Sequence, residues 1–297
     1  MNSIDTDLPW LIIGFGRVGK TLARIADHLD RRIVATWNRT ASSLPRTPVA
    51  LHSCSGALPG ALQLVDDLST APRLVWITVI DTAIAETFEQ VAPHLAPGSL
   101  VVHTSGSLSS AILAGHPHLH IASLHPLQAI TDPEEAFKQV GNTTWTLEGD
   151  AYGVDYLKAL LKPIGIDPIS IAPDNKILYH ASAVCAANLL VSLFDASLAI
   201  AETAGIPTEE ARSMLSALAA SSVENLKTSP PAEALSGPVA RGDTATIEAH
   251  RQALRTRTSD PQLLEIYDLL TLRAQQRLRP GPQSPRPRLP PESDLPE

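Results

Sequence analysis

Short apolar runs alternate with amphipathic stretches over the first half of the chain. Apolar runs of four to eight residues are typical of buried strands, and apolar positions that recur every three to four residues are typical of helices. We predict strands at residues 10–13, 33–37, 74–79, 100–103, 120–123, 143–147 and 167–171, and helices at residues 20–29, 84–95, 108–114 and 152–161. This alternation predicts an α/β fold with a doubly wound, mostly parallel sheet.

The pattern changes after residue 172. Alanine- and leucine-rich helical segments follow at residues 175–204, 208–226, 244–256 and 261–278. Residues 173–279 are therefore predicted to form a separate all-α domain. Its most apolar segment, residues 181–194, contains Asn188, and we interpret it as a core helix rather than a membrane span. Seven of the 18 residues from 280 to 297 are proline, which predicts a disordered tail.

A glycine motif joins the first predicted strand to the first predicted helix. It consists of Gly14, Phe15, Gly16, Arg17, Val18 and Gly19. Between a strand and a helix, the first glycine permits a tight turn and the second lets a pyrophosphate approach the backbone. The third glycine lets the helix pack closely on the strand. Residues 1–172 are therefore predicted to form a Rossmann dinucleotide-binding domain.

The end of the second predicted strand indicates which dinucleotide binds. NAD-binding domains usually place Asp or Glu there to bind the ribose hydroxyls. This chain has Asn38, Arg39 and Thr40 instead, and an arginine suits the 2′-phosphate of NADP(H). We predict NADP(H) as the cofactor, with further contacts from Val79 and Asp81 at the end of the strand predicted at residues 74–79. The alternative role of Asp81 is to cap the helix that follows it.

Composition restricts the possible partners and compartment. The 297 residues carry a net charge of −8 and show no basic patch, which argues against a nucleic-acid role. The N-terminus lacks the basic and apolar regions of a signal peptide, and the two cysteines have no metal or redox spacing. We therefore expect a cytoplasmic protein with reduced thiols and no membrane partner.

Two polar segments follow predicted strands, at the sheet edge where α/β folds bind ligands. Ser105 lies in the sequence H-T-S-G-S and could bind a carboxylate or carbonyl. Alternatively it is a turn residue, with Ser107 capping the next helix. His125, followed by Pro126, is a second candidate. The histidines at 116, 118 and 120 have alternating spacing, but no cysteine or carboxylate ligand is close in sequence, so we predict no metal site.

The helical half contributes further candidates. Lys176 and His180 are four residues apart and therefore share one helix face. Either could be the general acid for reduction of a C=O or C=N group, or they could be a solvated lysine and a core histidine. Asn188 follows on the same predicted helix. Arg241, in a loop ordered by glycine and proline, could clamp a carboxylate or phosphate, or pair with a surface acid.

Together these motifs resemble a known family. In order they are G-F-G-R-V-G, W-N-R-T, H-T-S-G, S-L-H-P-L, K-x-x-Y-H-A-S-A with a later N-L-L, and L-S-G-P-V-A-R-G-D-T-A-T-I-x-x-H. The chain resembles Rossmann-like proteins with a C-terminal helical domain of unknown function. These are distant relatives of the 6-phosphogluconate dehydrogenase superfamily, and some are similar to an alternative ketopantoate reductase.

The resemblance implies an NADP-dependent oxidoreductase. It also implies a homodimer whose helical domains pack together, so that Arg241 could serve either protomer. Superfamily reductases often carry a lysine at the position of Lys176 and an asparagine four residues later, where this chain has His180. The exact proton donor therefore stays open between these two residues.

We therefore predict a two-domain NADPH-dependent reductase for a small, carboxylate-bearing substrate. The first candidate substrate is a 2-oxo acid such as ketopantoate, and a cyclic imine is the alternative. A non-catalytic NADP-binding sensor or scaffold is the rival from another class, because the fold alone does not determine function. The predicted catalytic residues are Lys176, His180, Ser105, His125, Asn188 and Arg241.

Overall fold

One sheet organises the first half of the chain. In the computed structural model, which describes residues 6–40, 52–55, 58 and 68–278, eight strands form a single sheet. They are β1 (Trp10–Ile13), β2 (Ile33–Asn38), β3 (His52–Ser55), β4 (Leu74–Ile77), β5 (Leu100–His103), β6 (His120–Pro126), β7 (Trp145–Gly149) and β8 (Ile169–Ser170). The spatial order is β3-β2-β1-β4-β5-β6-β7-β8, and only the β6–β7 pair is antiparallel. The predicted doubly wound, mostly parallel sheet is confirmed.

Helices flank this sheet and then make up the rest of the described chain. Within or beside the sheet region lie α1 (Arg17–His28), α2 (Ile84–Val91), α3 (Pro133–Lys138), α4 (Ala151–Leu161) and α5 (Lys176–Ala186). The helical region continues with α6 (Asn188–Thr203), α7 (Thr208–Thr228), α8 (Pro231–Ala234), α9 (Gly237–Arg241), α10 (Thr244–Arg257) and α11 (Pro261–Arg277). The predicted all-α C-terminal region is confirmed.

Side chains from alternate strand positions fill two separate cores, one on each face of the sheet. In β1, Trp10 and Ile12 belong to one core, and Leu11 and Ile13 belong to the other. Successive side chains of a strand point to opposite faces, so a strand covered on both sides is apolar throughout. The strand order reverses beside β1, between β1 and β4. The carboxyl ends of these two strands are therefore the expected ligand site.

Some elements differ from the sequence prediction. The polar strand β3 was not predicted, because an edge strand with the sequence H-S-C-S lacks an apolar pattern. The helix predicted at 108–114 is a single 3₁₀ turn, Ser110–Leu113, with the Ser109 hydroxyl as its cap. The helix predicted at 175–204 is divided into α5 and α6 at Ala187. The proline-rich tail lies outside the described residues.

The chain divides into two compact units, Met1–Ala187 and Asn188–Glu297. The division lies after α5, because Lys176 at the start of α5 bonds to residues of the sheet domain. The stretch Pro173–Thr203 is long and apolar enough to span a membrane by length and composition, and its most apolar window of 18 residues has a mean hydropathy of 1.9. Only 6% of its most apolar window is buried, so the core-helix interpretation of residues 181–194 is wrong for the single chain.

Candidate active site

The glycine loop has the geometry that its sequence predicted. Gly14 has a φ of +98°, and a Cβ there would lie 2.7 Å from the backbone of Thr78 and Val79. A Cβ on Gly19 would collide with the Gly14 carbonyl oxygen, so this glycine lets α1 pack against the loop. A Cβ on Gly16 would meet no described atom within 4 Å. Packing within the chain therefore requires Gly14 and Gly19, whereas Gly16 leaves open space for a ligand.

The first turn of α1 faces this open space. Its N-cap is Gly16, which has no side chain to accept the first backbone N–H groups. Such free N–H groups, together with the positive end of the helix dipole, suit a phosphate. Arg17 begins the helix, and its guanidinium donates to the Ile130 carbonyl at 3.0 Å. The neighbouring Phe15 N–H donates to the Asn38 side chain at 3.2 Å.

Asn38 and Arg39, at the end of β2, have different surroundings. The Asn38 amide accepts from Phe15 and donates to the Thr40 carbonyl at 3.2 Å, so it joins the glycine loop to the β2 turn. Asn38 therefore acts as a support for both loops. Arg39 is exposed at the same strand end. No hydrogen bond or ion pair joins it to another of the described residues, and an exposed guanidinium at this position suits an anion.

A pocket of about 400 Å³ joins the glycine loop to the carboxyl ends of β5 and β6. The loop side contributes Arg17 and Val18, and the strand ends contribute Thr78, Thr104 and His125. The remaining lining comes from the segment after β6, namely Pro126, Gln128 and Ile130. The cavity therefore connects the predicted phosphate site to a histidine that can take part in proton transfer.

Ser105 and Asp81 form a hydrogen-bonded unit at the ends of β5 and β4. The hydroxyls of Ser105 and Ser107 each donate to Asp81 Oδ2 at 2.8 Å. Ser105 Oγ also accepts from the Ser107 and Leu108 N–H groups, at 3.2 and 3.0 Å. The Asp81 side chain makes no cap hydrogen bond to α2, so the capping alternative is wrong. The alternative cap for Ser107 is wrong too, since Ser109 caps the next turn.

Lys176 is buried beneath this unit. Its side chain is 1% exposed, and its ammonium donates to the Ser105 carbonyl at 3.0 Å and to Ser123 Oγ at 2.5 Å. Glu148 Oε1 lies 3.7 Å from the same nitrogen. Burial lowers the pKa of Lys176, and the Glu148 carboxylate opposes that effect. Lys176 is therefore not the solvated lysine of the alternative interpretation.

His125 lies between the pocket and two residues of α5. Its Nδ1 is 2.8 Å from the Tyr179 hydroxyl, and its ring lies edge-on to the His180 ring with centroids 6.0 Å apart. A Cβ on Gly106 would lie 2.6 Å from His180 Nδ1 and 2.9 Å from His125 Nε2. The glycine of the H-T-S-G sequence thus lets the loop backbone lie against both imidazole rings.

The electrostatic surroundings keep the His125 and His103 rings neutral near pH 7. Burial, followed by the nearby Lys176 charge, lowers the pKa of His125 to about 4. The same two causes, in the same order, lower the pKa of His103 to about 4. Burial raises the pKa of Tyr179, so its hydroxyl keeps its proton. His125 and Tyr179 therefore form a neutral hydrogen-bonded pair with one transferable proton in the contact.

The sheet unit brings together four predicted catalytic residues, namely Ser105, His125, Lys176 and His180. Asn188, at the start of α6, and Arg241, at the end of α9, belong to the second unit and are exposed.

Sequence reasoning missed Tyr179, Glu148, Ser123 and Gly106. Tyr179 had a usable signal, because it is three residues from Lys176 and so lies on the same side of the helix. Among the described residues, no group of three or more His, Cys, Asp or Glu side chains could hold a metal.

Two family models match the chain in succession. A Rossmann-like domain matches residues 5–124, and a domain of unknown function, DUF2520, matches residues 143–274. The chain therefore has a Rossmann-like domain followed by a DUF2520 domain. This confirms the resemblance inferred from the motifs. No curated protein matches the sequence.

The chain is similar to solved structures over most of its length. BF3122 from Bacteroides fragilis, described as an NADP oxidoreductase, is 21% identical with a TM-score of 0.69, over 92% of this chain and 99% of that chain. Protein TM1727 from Thermotoga maritima is 26% identical with a TM-score of 0.66, over 90% and 100%. Pyrroline carboxylate reductase from Plasmodium falciparum, solved with NADP bound, is 11% identical with a TM-score of 0.57, over 91% and 98%. These similarities establish the shared two-domain fold.

Proposed function

We propose that this protein is an NADP(H)-dependent oxidoreductase that reduces a small C=O or C=N substrate. The observation that carries the proposal is the continuous pocket between the glycine loop and His125. The uncapped start of α1 and His125, which contacts Tyr179, both border this cavity, and this supports cofactor binding and proton transfer in one site. The similar folds that are described as NADP oxidoreductases or reductases support the same reaction class.

The residues present fit NADP(H). Gly16 leaves room for a pyrophosphate at the start of α1, and the first-turn N–H groups have no side-chain cap. Exposed Arg39 at the end of β2 supplies a cation for the 2′-phosphate, and no carboxylate stands at Asn38 to repel it. Arg17, Val18, Thr40 and Val79 border the same region. When bound, NADPH supplies the hydride.

The chain must then supply a proton. In the tautomer in which His125 Nδ1 accepts from the Tyr179 hydroxyl, the ring proton is on Nε2. We propose that Nε2–H donates to the substrate oxygen or nitrogen as this atom gains electron density. Tyr179 then passes its proton to Nδ1. When Nε2 takes a proton from water, the Nδ1 proton returns to the Tyr179 oxygen, and the pair is back in its starting state. His180, with its ring against the same glycine, stays the alternative donor.

Two classes of substrate are candidates for accepting the hydride. A 2-oxo acid such as ketopantoate is the first candidate. A cyclic imine is the second, and a specific observation favours it. The Ser105 and Ser107 hydroxyl protons are directed to Asp81, so they are not available to a substrate carboxylate. The remaining negative charge on Asp81 attracts a protonated C=N group.

A panel of 2-oxo acids and cyclic imines, assayed for NADPH oxidation, tests this function. Turnover of one substrate class, with a preference for NADPH over NADH, is the expected result. A non-catalytic NADP-binding sensor predicts cofactor binding by calorimetry without turnover of any substrate in the panel. Absence of NADPH binding would contradict both functions.

We also propose that the protein is a soluble homodimer. The helical unit buries few apolar side chains, and those that the structure buries are Ala196, Ala201, Ala211, Ile247, Leu254 and Leu263. Large side chains such as Leu189, Val191 and Leu218 are more than half exposed. A second copy that covers these apolar helices accounts for them without a membrane. Light scattering in detergent-free buffer should give twice the 31.7 kDa chain mass, and a stable monomer would contradict the proposal.

A further inference from the structure

A buried pair of opposite charges lies below the pocket, and the proposed reaction does not use it directly. Lys176 Nζ and Glu148 Oε1 are 3.7 Å apart, and the two side chains are 1% and 3% exposed. Burying a charge is costly unless a partner compensates it, and even a paired buried charge is weak in its net contribution to stability. A pair in this position therefore calls for an explanation other than stability alone.

The Lys176 ammonium holds the Ser105 peptide from below. It donates to the Ser105 carbonyl at 3.0 Å and to Ser123 Oγ at 2.5 Å. On the other side of the residue, the Ser105 N–H donates to His103 Nδ1 at 3.2 Å. The backbone that presents the Ser105 hydroxyl to Asp81 is thus fixed at both its N–H and its carbonyl.

Glu148 is held in place independently of Lys176. Its Oε1 accepts from the Ser110 N–H, and its Oε2 accepts from the Ser110 hydroxyl, both at 2.6 Å. Both carboxylate oxygens are therefore fixed by a residue that follows the Ser105–Ser107 turn in sequence. The charge that faces Lys176 has a defined position even before the ammonium is considered.

We propose that Glu148 is a positioning residue: it keeps the buried Lys176 ammonium charged against the Ser105 carbonyl and so fixes the turn that carries Ser105 and Ser107. Lys176 then acts through Ser105, and not as the proton donor itself. The effect on turnover rests on the proposed reductase function, whereas the effect on Lys176 does not.

The charged groups around the Lys176 ammonium determine the direction in which loss of the Glu148 charge shifts the Lys176 pKa. Burial lowers the Lys176 pKa, whereas Glu148 raises it most and Asp81 raises it less. His103 and His125 are neutral in the alkaline range where the amine titrates, because each has a pKa of about 4. Removal of the Glu148 charge must therefore shift the loss of the Lys176 proton to lower pH.

NMR of lysines labelled with ¹³C at Cε measures this titration in the full chain. The chain has six lysines, and the signal that disappears in Lys176→Met identifies Lys176. Glu148→Gln should move the Lys176 titration to lower pH, and Asp81→Asn should move it less. Ser110→Ala, which retains the Glu148 charge, is the matched control and should leave the titration close to that of the unmodified protein. An unchanged titration in Glu148→Gln would overturn the proposal.

Two further measurements separate positioning from a general loss of structure. Glu148→Gln should lose kcat as pH rises through the lowered Lys176 titration, with NADPH binding retained, and an unchanged pH profile of kcat would contradict the proposal. The double variant Lys176→Met with Glu148→Gln should melt at a higher temperature than Glu148→Gln alone, because no unpaired charge remains buried. An equal or lower melting temperature would contradict it. If the unmodified protein has no turnover, the reductase function fails while the lysine titration still decides the role of Glu148.

Discussion

Replacement of Gly106 by alanine is the sharpest test of the site. The new Cβ would lie 2.6 Å from His180 Nδ1 and 2.9 Å from the Nε2 and Cε1 atoms of His125. The φ of Gly106 lies outside the left-handed region, so alanine adds no backbone strain there. The contacted atoms belong to side chains, which can move. We therefore expect the variant to fold with displaced imidazole rings.

The size of the effect follows from the displacement. Ordinary contacts begin at about 3.5 Å, so the His180 ring must move by about 0.9 Å and the His125 ring by about 0.6 Å. A misplacement of about 1 Å can cost about 10²-fold in rate. We expect kcat to fall by about 10- to 100-fold and the melting temperature to fall by a few degrees, since overpacking costs about 1–3 kcal/mol.

The assay is NADPH oxidation with the most active substrate of the oxo-acid and imine panel. NADPH binding should be retained, because Gly106 does not line the glycine loop. Gly141→Ala is the matched control, since its Cβ would meet only the Ile164 carbonyl oxygen at 3.9 Å. Wild-type kcat in Gly106→Ala, with both variants folded, would refute the assignment of the two histidines to the site.

Three further predictions concern the cofactor, the proton donor and acid stability. Arg39→Ala should weaken NADPH binding by about 1–3 kcal/mol, as for a lost charge-assisted hydrogen bond, and leave NADH binding unchanged in calorimetry; equal affinity of the unmodified protein for both cofactors would contradict it. His125→Asn should lower kcat by about 10²–10⁴-fold with cofactor affinity retained, and His180→Ala should show that loss instead if His180 is the donor. His103 has a folded pKa of about 4, below its usual value near 6.5, so its uptake of a proton favours the unfolded chain between these values. The melting temperature should therefore fall as the pH is lowered from about 6.5 to 4, and it should fall less steeply in His103→Gln. An equally steep fall in both proteins would contradict the conclusion that burial lowers the His103 pKa.

Several site residues could be predicted from the sequence, because short stretches of the chain are enough to identify them. The glycine motif specifies a turn and a helix start within a few residues, so its geometry follows from short-range sterics. Ser105 and His125 were identified because each comes directly after an apolar strand. Lys176 and His180 were paired by helical spacing, which depends only on the 3.6-residue period. The roles of these residues could not be predicted in the same way, because burial and hydrogen-bond partners determine them.

The sequence alone determined three features. The alternation of apolar runs and helical patterns determined the doubly wound sheet, the helical period determined the second half, and the glycine motif determined the dinucleotide loop. These features follow from the sequence because they depend on period and on backbone conformation over short stretches. Only the tertiary structure decided that Glu148, Ser123 and Ser105 surround Lys176. Lys176 and Ser105 are 71 positions apart in sequence, and β6, β7 and the segment that follows β5 bring these groups into one buried cluster. No local pattern encodes that meeting, because it arises when strands that are distant in sequence become neighbours in one sheet.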